Sequence, residues 1–68
     1  MAEIKNNSVV QFNENHKWCG CIGIVNEVKS DIDRYMVGVP VPLKGIAYIY
    51  CKAKDLEYIG EAAFVEEI

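Results

Sequence analysis

The sequence predicts an all-β domain: a small five-stranded barrel with a short helical turn before the last strand. Three observations lead there. Short β-prone runs with alternating faces recur along the chain, as in Val10-Gln11-Phe12 and Tyr35-Met36-Val37-Gly38-Val39. The longest such run contains Gly20 and Gly23, and glycine inside a strand marks a bulge, a bend or a close backbone approach. Finally, 68 residues hold one core and not two. A core this small seldom supplies more than about 3–5 kcal/mol of net stability, which favours a sheet that curls on itself and removes its own edges.

Residues 1–7 read as a tail. Ser8–Phe12 is the first strand, because Val10 and Phe12 alternate with polar Gln11. Residues 13–17 are polar and contain two Asn able to form local turns, so an exposed loop is expected. Residues 18–29 form a long bent strand with Ile22, Ile24, Asn26 and Val28 on one face and Cys21, Gly23 and Val25 on the other. A charged turn at 30–33 leads to a third strand at 34–39, where Tyr35, Val37 and Val39 share a face. Pro40 and Pro42 donate no ladder hydrogen bonds, so pairing is expected to stop or to move to an edge there, before a turn at Lys44-Gly45. In the fourth strand, 46–51, Ile46, Tyr48 and Tyr50 alternate against Ala47, Ile49 and Cys51. Residues 52–55 suit one helical turn, 56–59 a brief last strand, and Gly60 ends it. The barrel thus spans 8–60, and 61–68 is a C-terminal extension that could add to a strand, form a helical turn or fray.

Composition sets limits on function. With 51% hydrophobic, 25% charged and 10% aromatic residues the chain has the balance of a globular domain rather than a disordered one. Seven Lys and Arg against ten Asp and Glu give a net charge of -3, the wrong sign for a protein held mainly by phosphates. No apolar run approaches the roughly 18 residues that cross a bilayer, and residues 1–7 lack the pattern of a secretory signal. A cytoplasmic protein is expected. The odd number of cysteines, Cys19, Cys21 and Cys51, suits free thiols, and Cys19 and Cys21 on an extended strand would lie roughly 6.6 Å apart, near the limit for a bridge.

The segment Gly20-Cys21-Ile22-Gly23-Ile24-Val25-Asn26-Glu27-Val28 has the spacing G-x-x-G-x-V-x-x-V and follows a Val-x-Phe strand and a polar loop. In this it resembles the KOW-type SH3-like barrels. Residues 52–60 are similar to the helical turn and closing strand that end many SH3-like barrels, so the likeness covers 8–60. The whole also resembles short SH3-like proteins carried by bacteria and their prophages. The resemblance implies a five-stranded barrel used for binding, with partners ranging from ribosomal RNA to polymerase subunits and peptides, and no catalysis. RNA-binding KOW domains carry a basic residue beside the first motif glycine, whereas here Cys19 and Cys21 flank Gly20. A protein partner is therefore expected ahead of nucleic acid.

Among candidate site residues the aromatics stand first. Trp18, Tyr35, Tyr48, Tyr50 and Tyr58 are too many large rings for so small a core, and partly exposed Tyr and Trp give contact area at low entropic cost. The expected partner site is Trp18, Tyr35, Tyr48 and Tyr50 with the loop residues His16 and Lys17. Glu57, Glu61, Glu66 and Glu67 would steer a basic partner. In the nucleic-acid alternative Lys17, Arg34, Lys44 and Lys52 meet phosphate while tyrosines stack on bases. In a metal-stapled alternative His16, Cys19, Cys21 and Cys51 hold zinc, a sound ligand set with poor spacing, because C-x-C on a strand splays its thiolates. His16 and Cys19 also form a nucleophile and base pair on paper, but no third group orients the imidazole, so no enzyme and no cofactor are expected. Pro40-Val41-Pro42 is not a P-x-x-P ligand and reads as an edge-blunting loop. A monomer and an edge-paired homodimer both stand open.

Overall fold

A computed structural model describes residues 3–62. It has five strands, β1 (Ser8–Phe12), β2 (Ile22–Lys29), β3 (Arg34–Val41), β4 (Gly45–Cys51) and β5 (Leu56–Glu61), with single 3-10 turns at Ser30–Ile32 and Ala53–Asp55. The strands form one antiparallel sheet in the order β4-β3-β2-β1-β5, so β4 and β5 are its two edges. The all-β expectation, its five strands and the helical turn before the last all hold.

Every strand contributes to one core: Val10 and Phe12 from β1, Val25 from β2, Val37 and Val39 from β3, Cys51 from β4 and Leu56 from β5. Among the described residues no helix layer covers this face, so the sheet shields it by curving around it. One close contact brings β2 against β3 over this face. A Cβ at Gly23 would lie 2.6 Å from the Gly38 carbonyl oxygen and 2.7 Å from Val37 Cγ1. Only glycine lets β2 come that close to β3.

Two expectations about β2 are corrected. The strand begins at Ile22 rather than Trp18, because residues 14–20 wind through successive turns: His16 N–H donates to Asn13 O (3.2 Å), Cys19 N–H to His16 O (3.0 Å) and Cys21 N–H to Trp18 O (3.0 Å). Gly20, at φ 92°, turns the chain back, and its N–H donates to Phe12 O at 2.8 Å. The second correction concerns Val28. Pairing with β3 runs Val25↔Val37 and then Glu27↔Met36, leaving Asn26 as a bulge. The extra residue shifts the alternation by one, so Val28 packs against the core instead of sharing a face with Ile22 and Ile24.

At Pro40 the pairing moves to an edge, the second of the two outcomes expected there. β3 runs to Val41, with Pro40 opposite Ile46 and Val41 opposite Gly45. The β2 ladder ends earlier, at Ile24↔Gly38, so Pro40 lies where only β4 remains as a partner and a missing N–H on the other side costs nothing. The chain reverses through Leu43 (φ 67°) and Gly45 (φ 99°). Gly60 likewise lies inside β5 rather than ending it, since that strand continues to Glu61.

Side-chain bonds fasten both ends of β5. Before it, Asp33 Oδ1 accepts from Ala53 N–H at 3.2 Å and the Asn13 amide donates to Lys54 O at 2.7 Å. After it, Glu61 Oε2 accepts from the buried Ser8 hydroxyl (3.0 Å) and from the Tyr58 hydroxyl (2.9 Å), and Lys5 Nζ lies 3.7 Å from Oε1. Residues 3–7 are tied in too, with Ile4 against the core. The expectation for the C-terminal extension, Glu66 and Glu67 included, lies outside the described residues beyond position 62.

Gly23→Ala should destabilise the domain by about 2 kcal/mol or more, the upper part of the range for overpacked cores. Gly60→Ala, where an added methyl meets nothing within 4 Å, should stay within about 0.5 kcal/mol of wild type. Urea denaturation of both variants measures the contrast.

Candidate functional site

The face of the sheet turned away from the core is apolar across three strands. Alternation on β2 puts Ile22 and Ile24 outward, 50% and 37% exposed, opposite inward Gly23 and Val25. Alternation on β4 does the same for Ile46, Tyr48 and Tyr50, which are 58%, 54% and 62% exposed. Between them β3 offers Gly38, in register with Ile24 on one side and Tyr48 on the other. With no side chain at Gly38 the surface sinks into a groove of about 340 Å³ walled by Ile24, Asn26, Pro40, Ile46 and Tyr48. A Cβ at Gly38 would meet Ile46 Cγ2 at 3.2 Å and Tyr48 Cε1 at 3.4 Å, enough to start filling the floor. Single exposed apolar side chains need no explanation, but five large ones on one face around a groove mark an interaction surface.

A second, polar hollow of about 460 Å³ opens at the end of β4, among Asn15, Asp33, Arg34, Tyr50, Lys52 and Lys54. The Arg34 guanidinium stands 5.5 Å from the centre of the Tyr50 ring, within cation–π range. Asp33 and buried Asp55 spend a carboxylate oxygen each on backbone N–H groups, of Ala53 and Lys52 respectively. Among the described residues the ion pairs are Lys5–Glu61 and Lys29–Glu27, so Arg34, Lys44, Lys52 and Lys54 have no carboxylate within salt-bridge distance.

The expected aromatic platform divides in two. Tyr48 and Tyr50 stand outward on β4, whereas Trp18 and Tyr35 are half-buried against the core. Tyr35 faces inward because it shares parity with Val37 and Val39. Trp18 folds inward because the turns after residue 13 bring it back over the sheet. His16 is a structural residue: its Nδ1 accepts from Trp18 N–H at 3.1 Å and its ring lies 4.6 Å from that of Phe12. Lys17 is exposed on the same turn. Ile22, Ile24 and Ile46 were not among the expected site residues, although the alternation opposite Val25 was a readable signal for the first two.

The thiols do not converge. Cys19 is exposed, Cys21 half-buried, and buried Cys51 donates its S–H to Tyr35 O at 3.7 Å. Among the described residues no three His, Cys, Asp or Glu are grouped to hold a metal ion. Burial pushes the Cys51 thiol up to about 11, with the Asp55 and Asp33 charges adding to the effect. At neutral pH it is a protonated filler and not a nucleophile. At the far edge, the Tyr58 hydroxyl holds the Glu61 carboxyl below its ordinary range against the opposing effect of desolvation, with lesser help from Ser8 and Lys5.

Two titrations follow. Cys19 should react with a disulfide reagent at neutral pH while Cys51 reacts only on unfolding. Because the folded pKa of Cys51 is raised from 9.0, its contribution to stability is intact below pH 9.0 and lost as pH climbs toward about 11. Cys51→Ala should remove that alkaline loss. Glu61 has the opposite sign: its folded pKa is depressed, so its contribution is present above the ordinary carboxylate range and lost as pH falls through the folded value. Urea midpoints measured from neutral pH downward should fall less steeply for Glu61→Gln than for wild type.

Among the described residues no helix is long and apolar enough to cross a membrane. Comparison of the chain with protein-family models, with curated proteins and with solved structures finds no match in any of the three.

Proposed function

We propose that this chain is an SH3-like barrel of the KOW type acting in the cytoplasm as a non-enzymatic module that binds a protein partner on the outer face of β2, β3 and β4. One observation carries the reading: the groove over Gly38, flanked by Ile24, Ile46 and Tyr48 and extended by Ile22 and Tyr50, is an apolar surface with a defined depression. Such a depression accepts an anchoring side chain, and rigid tyrosines at its side supply contact area with few rotors to freeze. Five antiparallel strands with a 3-10 turn just before the last support the barrel assignment. Three cysteines outside any disulfide support a reducing compartment.

Binding is by shape and desolvation, so it should depend on side chains at the groove and not on the far edge. Capture experiments with wild type, Tyr48→Ser and Tyr58→Ser, followed by reconstitution with the purified partner, measure this. Tyr48→Ser should weaken binding at least about tenfold, the loss expected of an interface anchor, while Tyr58→Ser binds as wild type. Equal affinity of all three would remove the groove from the function.

A second reading has its own observation. Arg34 stands over the Tyr50 ring, and Lys52 and Lys54 line the same polar hollow, an arrangement suited to a phosphate and a stacked base. Lys44 lies at the opposite end of β4, roughly 26 Å along an extended chain from Lys52, and so does not join that group. Affinity for single-stranded RNA that falls steeply with salt would favour this reading.

A further inference from the structure

Resting on that reading, we infer that the partner binds by adding an extended strand with acidic ends to the free edge of β4. Among the described residues β4 pairs with β3 on one side and with no strand on the other, so a row of backbone donors and acceptors faces outward along Gly45–Cys51. Natural sheets guard such edges with charges, prolines or bulges. β4 has none of these: its sequence, Gly-Ile-Ala-Tyr-Ile-Tyr-Cys, is uncharged, and its register with β3 is unbroken from Tyr35↔Cys51 to Val41↔Gly45. The other edge is guarded, since β5 carries Glu57 and Glu61 and its ladder with β1 is interrupted between Val9 and Val10.

Charge selects the occupant. Lys44 and Lys52 bracket β4, and Arg34 and Lys54 lie beside its Lys52 end, all without a carboxylate in salt-bridge range among the described residues. A second copy of β4 is a poor match. The antiparallel alignment that pairs the whole strand is centred on Tyr48 and sets Lys44 against Lys52 at both ends, where like charges repel. An incoming nine-residue strand with a carboxylate at each end, eight positions apart like Lys44 and Lys52, meets both lysines with opposite charge. Its alternate apolar side chains then lie beside Ile46, Tyr48 and Tyr50 and extend the outer face. The backbone ladder gives affinity and the flanking charges give choice of partner.

The test uses the intact chain and a labelled peptide, Glu-Thr-Val-Thr-Val-Thr-Val-Thr-Glu, read by fluorescence anisotropy. Saturable binding is expected, weakened about tenfold when both Glu are replaced by Lys and about tenfold by Lys44→Glu with Lys52→Glu. Two N-methylated peptides separate the ladder from apolar adhesion. Methylating the alternate amides that face β4 should abolish binding, while methylating the other set should leave it within about twofold. Equal binding of both methylated peptides overturns strand addition but leaves docking on the Tyr48 face standing. No binding up to about 1 mM peptide overturns it as well. So does a chain that is already dimeric without peptide, since a second copy then holds the edge.

Discussion

The structure depends on one close approach, that of the β2 backbone at Gly23 to the Gly38 carbonyl of β3. Among the described residues no second layer covers the apolar face of the five strands, so the sheet must shield that face itself by drawing its strands together around it. Gly23 allows β2 to close up against β3 there. The Asn26 bulge then reverses the alternation, so that Val28 also points toward the core. Val10, Phe12, Val25 and Val37 become fully enclosed as a result, in a chain too short to enclose much else.

The same geometry decides what is left outside. Curling gathers inward-facing residues from all five strands, and the opposite parity of β2 and β4 is turned to solvent as Ile22, Ile24, Ile46, Tyr48 and Tyr50. Gly38 acts on this outer side as Gly23 acts on the inner one. One glycine admits a neighbouring backbone, and the other leaves a depression between flanking side chains. Charge follows the edges of the sheet, with lysines at the ends of β4 that have no ion-pair partner among the described residues and glutamates along β5. A basic partner steered by Glu57 and Glu61 would therefore meet the β5 edge, while the apolar face adjoins the basic one.

Much of this was legible in the residues. Period-two alternation located β1, β3 and β4 and assigned the faces of Ile46, Tyr48 and Tyr50 correctly, because that pattern is local. The helical turn at Ala53–Asp55 was legible for the same reason. What escaped depends on neighbours. The parity of Val28 depends on a bulge defined only by pairing with β3, and the choice between a stop and an edge at Pro40 on where the β2 ladder ends. The half-burial of Trp18 depends on turns whose hydrogen bonds run back to Phe12. The groove was not legible either, since it forms where Ile24, Gly38 and Tyr48 fall into register across three strands.

The central claim is that the isolated chain carries an uncovered β4 edge beside an apolar face. Amide hydrogen exchange along Gly45–Cys51, at a concentration where the chain is alone in solution, measures this most directly. The account predicts alternation: amides bonded to β3 are protected, and those directed away from it exchange at rates close to those of unfolded peptide. Uniform protection along the strand would mean that something already covers the edge, and uniform fast exchange would mean that β4 is not part of the sheet.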